Sequence, residues 1–210
     1  MRTWEKIALI LTFGTIWGVA ELFGWDILRA LDVSNKSTYL FLAAFFILIA
    51  AKRIIPFFGS MFLMSLVTIA YKSAGVKFFG CQAVAVAIDA LAVDTVYFLL
   101  TEKRFESWRW RSIAAPLISV PAFAAFGFFR EFIWAAPGFE SSGLSGVLAY
   151  MLNSALTAVI LSIVVIHPAY TLGNSIAKRR ESPAGRRSLN WAFTAGVAIT
   201  VILWAVLFLY

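Results

Sequence analysis

The chain has 210 residues, of which 61% are hydrophobic and only 14% charged, against about 25% charged in ordinary soluble domains. That balance excludes a soluble globular protein, and at this length it leaves room for one integral membrane domain over 1–210. A net charge of +7 would suggest nucleic acid in a soluble protein, but here the charges fall between apolar runs and no nucleic-acid partner is expected. One cysteine, Cys81, and one histidine, His167, exclude an intramolecular disulfide, a cysteine-rich metal site and a bis-histidine haem within one chain.

The first apolar run, 7–28, follows a short basic start. It outlasts a signal-peptide core and no small-x-small cleavage site follows, so it reads as a retained helix. Within it, Gly14-x-x-x-Gly18 gives the spacing that lets two helices approach closely in lipid, either inside the bundle or against another membrane subunit. Trp17, Glu21 and Trp25 lie four residues apart, which puts an acid between two indoles on one helical face. The second run, 36–51, is short and ends at Lys52 and Arg53. Pro56 then suits the first turn of a third run, 54–71, which either spans or re-enters.

The fourth run, 78–100, is apolar apart from Gln82, Asp89 and Asp94. A carboxylate at mid-bilayer depth costs at least ~2.5–3.5 kcal/mol and therefore faces protein, a partner or a wet cavity. Five positions of helix rotate by ~140°, so the two aspartates point to different places: one to a cavity, the other to a packing seam. The fifth run, 112–136, contains Pro116 and Pro121, which predict a kink, and then the pair Arg130-Glu131 and Trp134. The sixth, 144–172, carries Tyr150 and Asn153 early and His167-Pro168 late. A basic loop at 178–187 leads to a seventh run at 189–210.

The expected fold is thus all-α: a polytopic transmembrane helical bundle of about seven spans, six plus an extra C-terminal one. With the N-terminus inside, 13 of the 18 basic residues fall in cytoplasmic segments, as the positive-inside rule requires. In that orientation Glu21, Asp89, Arg130 and Asn153 gather toward the outer half of the membrane, with Trp17, Trp25, Trp134 and Tyr150 as walls. Such a pocket suits a small polar, partly aromatic molecule. In that picture Arg130 meets an anionic group of the ligand, while Asp89 and Asn153 bond its polar edges. The alternative for Arg130 is snorkelling to the headgroups beside Glu131. No nucleophile–base pairing is legible, so no catalytic residue, metal or cofactor is assigned.

The stretch 52–94, with Arg53, Pro56, Gly59-Ser60, Gly75 and Asp89 in order, resembles the substrate-binding (S) subunits of energy-coupling-factor transporters. The likeness covers about a fifth of the chain specifically and the rest by size and hydropathy. It implies a six-helix bundle in a prokaryotic inner (plasma) membrane, which captures a vitamin, a related micronutrient or a metal ion from outside. It also implies a transmembrane coupling subunit and cytoplasmic ATPases as partners, with Gly14 and Gly18 as the docking seam. The seventh span departs from that pattern. Two other classes stand beside this one. One is an integral membrane enzyme acting on a lipid or isoprenoid phosphate through carboxylate-held Mg²⁺. The other is a structural or assembly subunit whose acids are packing pairs.

Overall fold

The computed structural model describes residues 3–73, 80–134, 142–182, 185 and 194–203. The link between the fifth and sixth runs lies mostly outside these residues, as do 183, 184, 186 and 187 of the basic loop, and of the seventh run only 194–203 is described.

The described residues are helical and contain no strand. Helix α1 (Thr3–Ala30) has Glu5 in its first turn and Arg29 in its last, each complementing the helix dipole. Asp32 and Asn35, both in the left-handed region, turn the chain into α2 (Lys36–Ile54); these are residue types that enter that region at low cost. Helix α3 (Ser60–Ser73) follows a turn through Pro56 and Gly59. Next come α4 (Gly80–Phe105), α5 (Trp108–Phe128) and a π-helical turn at Phe129–Ile133. After the undescribed segment, α6 (Leu144–Tyr150) passes through a second π-helical turn, Met151–Ala155, into α7 (Leu156–Glu181). A further apolar helix, α8, covers Thr194–Leu203.

Five of these units are long and apolar enough to cross a membrane: α1, α2, α4, α5 with its π turn, and the α6–α7 unit. The chain is therefore a helical membrane protein. The second run, short by sequence, gains length because its helix continues through Lys52 and Arg53 to Ile54. The third run loses length, since residues 55–59 form the turn. The 14 helical residues of α3 cover only ~21 Å at ~1.5 Å each, less than a ~30 Å hydrocarbon core. Helix α5 remains one helix through Pro116 and Pro121, and the change of hydrogen-bond register comes later, at Phe129–Ile133.

The helices close into a ring. Going round it, α1 packs on α3, α3 on α4, α4 on α5, α5 on α7, α7 on α2, and α2 back on α1. Its interior is apolar, with Trp17, Phe45, Leu48, Met64, Ile118 and Ile166 fully buried. Small residues set the tightest seams. A Cβ on Gly173 would lie 2.5 Å from the Ala50 carbonyl oxygen, so α2 and α7 touch backbone to backbone. A Cβ on Gly14 would lie 2.7 Å from Val67 Cβ, and one on Gly18 2.8 Å from Tyr71 Cβ. Both glycines are buried. The Gly14/Gly18 seam expected to receive a second subunit is filled by α3 of the same chain. The sequence could not show this, because the spacing serves either partner equally well.

The two ends of the ring differ in charge. At one end Arg180 of α7 pairs with Glu5 of α1 at 2.5 Å. Arg53 of α2 pairs there with Glu102 of α4 and donates to Asn174 Oδ1 of α7 at 3.2 Å. The basic turns of α2, α4, α5 and α7 thus share an end with the start of α1. At that end His167 stacks on Trp108 (ring centroids 5.2 Å apart) and accepts at Nδ1 from Arg111 Nε at 3.3 Å. At the opposite end Asn35 Nδ2 donates to the Asn153 carbonyl at 3.3 Å and Thr38 Oγ1 to that of Ser154 at 3.1 Å.

Candidate functional site

The two aspartates of α4 do point to different places. Asp94 is fully buried and forms an ion pair with Lys52, itself 3% exposed. Its second oxygen accepts the backbone N–H groups of Met61 (3.1 Å) and Phe62 (3.2 Å) in the first turn of α3. Those are groups that a helix start leaves without intrahelical partners. Lys52 Nζ also donates to the Phe57 carbonyl at 2.8 Å and to Ser60 Oγ at 3.3 Å. This is a closed network tying α2, the Pro56–Gly59 turn, α3 and α4 together. Asp94 is the packing seam, with a lysine as its partner.

Asp89 is different. It lines a cavity of about 250 Å³ near the other end of the ring, and among the described residues it has no hydrogen-bond or ion-pair partner. Every helix from α1 to α6 contributes to the wall. Glu21 and Trp25 come from α1, Phe41 from α2 and Lys72 from the last turn of α3. Helix α4 adds Cys81, Gln82 and Asp89, α5 adds Phe123 and Phe126, and α6 adds Tyr150. The volume lies just below the ~300–1,000 Å³ typical of drug-sized sites, so the occupant it fits is small. Five aromatic residues stand in the wall beside aliphatic ones, and a few charged groups are set among them.

Those charged groups are held by their neighbours. Lys72 Nζ lies 2.6 Å from Glu21 Oε2, and Trp17 Nε1 points at Glu21 Oε1 from 3.4 Å. Trp17 is completely buried behind the acid and is a support for the site, outside its wall. Glu131 receives Arg130 Nη2 at 2.8 Å and the backbone N–H of Ser142 at 3.2 Å. Gly146 makes room for it, since a Cβ there would stand 2.6 Å from Glu131 Oε2. The Arg130 guanidinium lies 4.7 Å from the Tyr150 ring centroid. Arg130 therefore acts on the cavity through Tyr150 and is not in its wall.

The sequence-derived set thus divides. Glu21, Asp89, Trp25 and Tyr150 meet in one cavity. Trp17 and Arg130 stand directly behind two of them. Trp134 packs over Gly80, where a Cβ would lie 2.8 Å from its Cη2, and does not reach the cavity. Asn153 is exposed, meets Asn35 through its backbone carbonyl, and does not line this cavity. The π-helical turn at Met151–Ala155 changes the rotation per residue immediately after Tyr150, so a face drawn at 3.6 residues per turn misplaces Asn153. Lys72, Cys81, Phe123 and Phe126 went unassigned. Lys72 had a signal, as the first charge after the apolar run 54–71; the phenylalanines had none among 20 in the chain.

Comparison with protein-family models, with curated proteins and with solved structures gave no match. The cavity itself is therefore what bears on function.

Proposed function

We propose that the chain is the substrate-capture subunit of a micronutrient or vitamin uptake transporter, taking a small polar or aromatic molecule into the cavity around Asp89. The observation that carries this reading is a carboxylate without an ion-pair or hydrogen-bond partner among the described residues, set in a cavity with five aromatic residues in its wall, between six helices of an apolar bundle. A structural acid is expected to look like Asp94, whose oxygens are taken by a cation and two amides; an acid with no such partners in a cavity wall is what a ligand site needs.

In this reading the chain spans a prokaryotic inner membrane about seven times. Its N-terminus is inside and the cavity lies in the outer half. Support comes from the basic turns of four helices gathered at the end where α1 starts. The chain performs no chemistry itself, and a transmembrane coupling subunit with cytoplasmic ATPases would drive release. Ala85 gives a direct test because it lines the cavity. Purified wild-type protein is expected to retain molecules saturably from a pool of vitamins and related micronutrients, read by mass spectrometry, and Ala85→Phe to retain none. Equal retention by both proteins, or retention of none by either, would count against the cavity.

A further inference from the structure

The charges around the cavity do not balance, and this bears on the ligand it selects. Its wall carries two carboxylates, Glu21 and Asp89, and one cation, Lys72. Lys72 is committed to Glu21 at 2.6 Å, with both side chains at most 10% exposed. The nearby Arg130 is held by Glu131 at 2.8 Å, so that pair adds nothing net. Lys36, at the start of α2, gives its ammonium to the Val33 carbonyl at 2.8 Å and does not line the space. Among the described residues, then, the wall holds one carboxylate more than cations, and the one without an ion-pair or hydrogen-bond partner is Asp89.

Resting on the capture reading above, we propose that the molecule captured is a small organic cation, an amine or quaternary ammonium with an apolar or aromatic body, whose charge is met by Asp89. Two properties of the wall support this over a neutral or anionic ligand. Asp89 is half-buried among apolar helices; a carboxylate held there without a partner is costly, and a cationic ligand offsets that cost as it binds. The wall also holds five aromatic residues, Trp25, Phe41, Phe123, Phe126 and Tyr150, and aromatic rings attract cations, quaternary ammonium groups above all. An anion would meet the same carboxylate. Its natural partner, Arg130, is turned to Glu131 and the Tyr150 ring. The geometry thus reverses the ligand charge that an arginine-led site would select.

Cys81, the only cysteine of the chain and part of the cavity wall, reports the charge of the space without knowledge of the ligand. The experiment compares its modification by cationic and anionic methanethiosulfonate reagents in purified protein. Rates are normalised to those for free β-mercaptoethanol. The expected cation preference is about tenfold in the wild type and near one in Asp89→Asn. Three shape-related probes then compete for the site: phenethylammonium, phenethyl alcohol and hydrocinnamate. The ammonium probe is expected to protect Cys81 at concentrations about 10- to 100-fold below the alcohol, the range of one charge-assisted contact. Equal protection by the alcohol, or better protection by hydrocinnamate, would overturn the cation assignment and leave the capture reading standing. A cation preference with no protection by any probe would sink the capture reading instead. An anion preference in the wild type would overturn the assignment even if Asp89→Asn did not fold.

Discussion

Replacing Asp94 by asparagine tests how the apolar ring is locked, because it changes one charge at nearly constant volume. In the folded protein the Asp94 carboxylate serves three donors: the Lys52 ammonium and the amides of Met61 and Phe62. The asparagine oxygen can keep the amides, but its NH₂ group then faces the ammonium. Lys52 is left with the Phe57 carbonyl and Ser60 Oγ, at 3% exposure and without a counterion. Removing one partner of a buried ion pair costs about 3–5 kcal/mol. Asp94→Leu is expected to cost more, since two amides of the α3 start also lose their acceptor, at ~1 kcal/mol or more each. Lys52→Met leaves the carboxylate with both amides and is the milder single change. The double variant Lys52→Met/Asp94→Leu is expected to be more stable than Asp94→Leu alone, because no buried charge remains. The assay is reversible unfolding in mixed micelles, with helicity followed as denaturing detergent is added. A loss under about 1 kcal/mol in Asp94→Asn, or strictly additive single changes, would refute the network.

Lys72→Met removes the cation from Glu21 while keeping the length of the side chain. A loss of about 3 kcal/mol or more is expected in the same unfolding assay, and Glu21→Gln/Lys72→Met should restore most of it. Gly18→Val drives a branched side chain into Tyr71, which is 1% exposed and has no room to move. It should cost about 1–3 kcal/mol, whereas Gly18→Ala should cost less, and a neutral Gly18→Val would mean α3 does not fill that seam. Gly146→Val should push Glu131 off its seat, releasing Arg130 toward the cavity; a weaker cation preference at Cys81 is the expected reading. Thr101, held at φ 60° and ψ 152° inside α4, is in a region that suits glycine. Thr101→Gly should therefore be neutral or stabilise by about 1 kcal/mol, and a marked loss would show that its side chain is needed there.

The helical membrane bundle was legible because apolar runs of bilayer length, broken by charged loops, admit few other structures. The divergence of Asp89 and Asp94 was legible too, since five residues of helix fix it. Their environments were not, because the partner of Asp94 is a lysine 42 positions away that reads as an ordinary loop charge at the end of α2. The place of Gly14 and Gly18 depended on which helix lies against them, and sequence spacing does not choose between a neighbour in the chain and a subunit outside it. Arg130 and Asn153 were misplaced for one reason: both lie in π-helical turns, where a periodic face is the wrong ruler. Tyr150, one residue before such a turn, still lands in the cavity.

The central claim is that the space around Asp89 holds a small molecule, and native mass spectrometry of the gently purified protein tests it most directly. The account predicts an adduct of vitamin size on the wild-type chain, absent from Ala85→Phe and reduced in Asp89→Asn. Lipid adducts alone, identical in all three proteins, would contradict it.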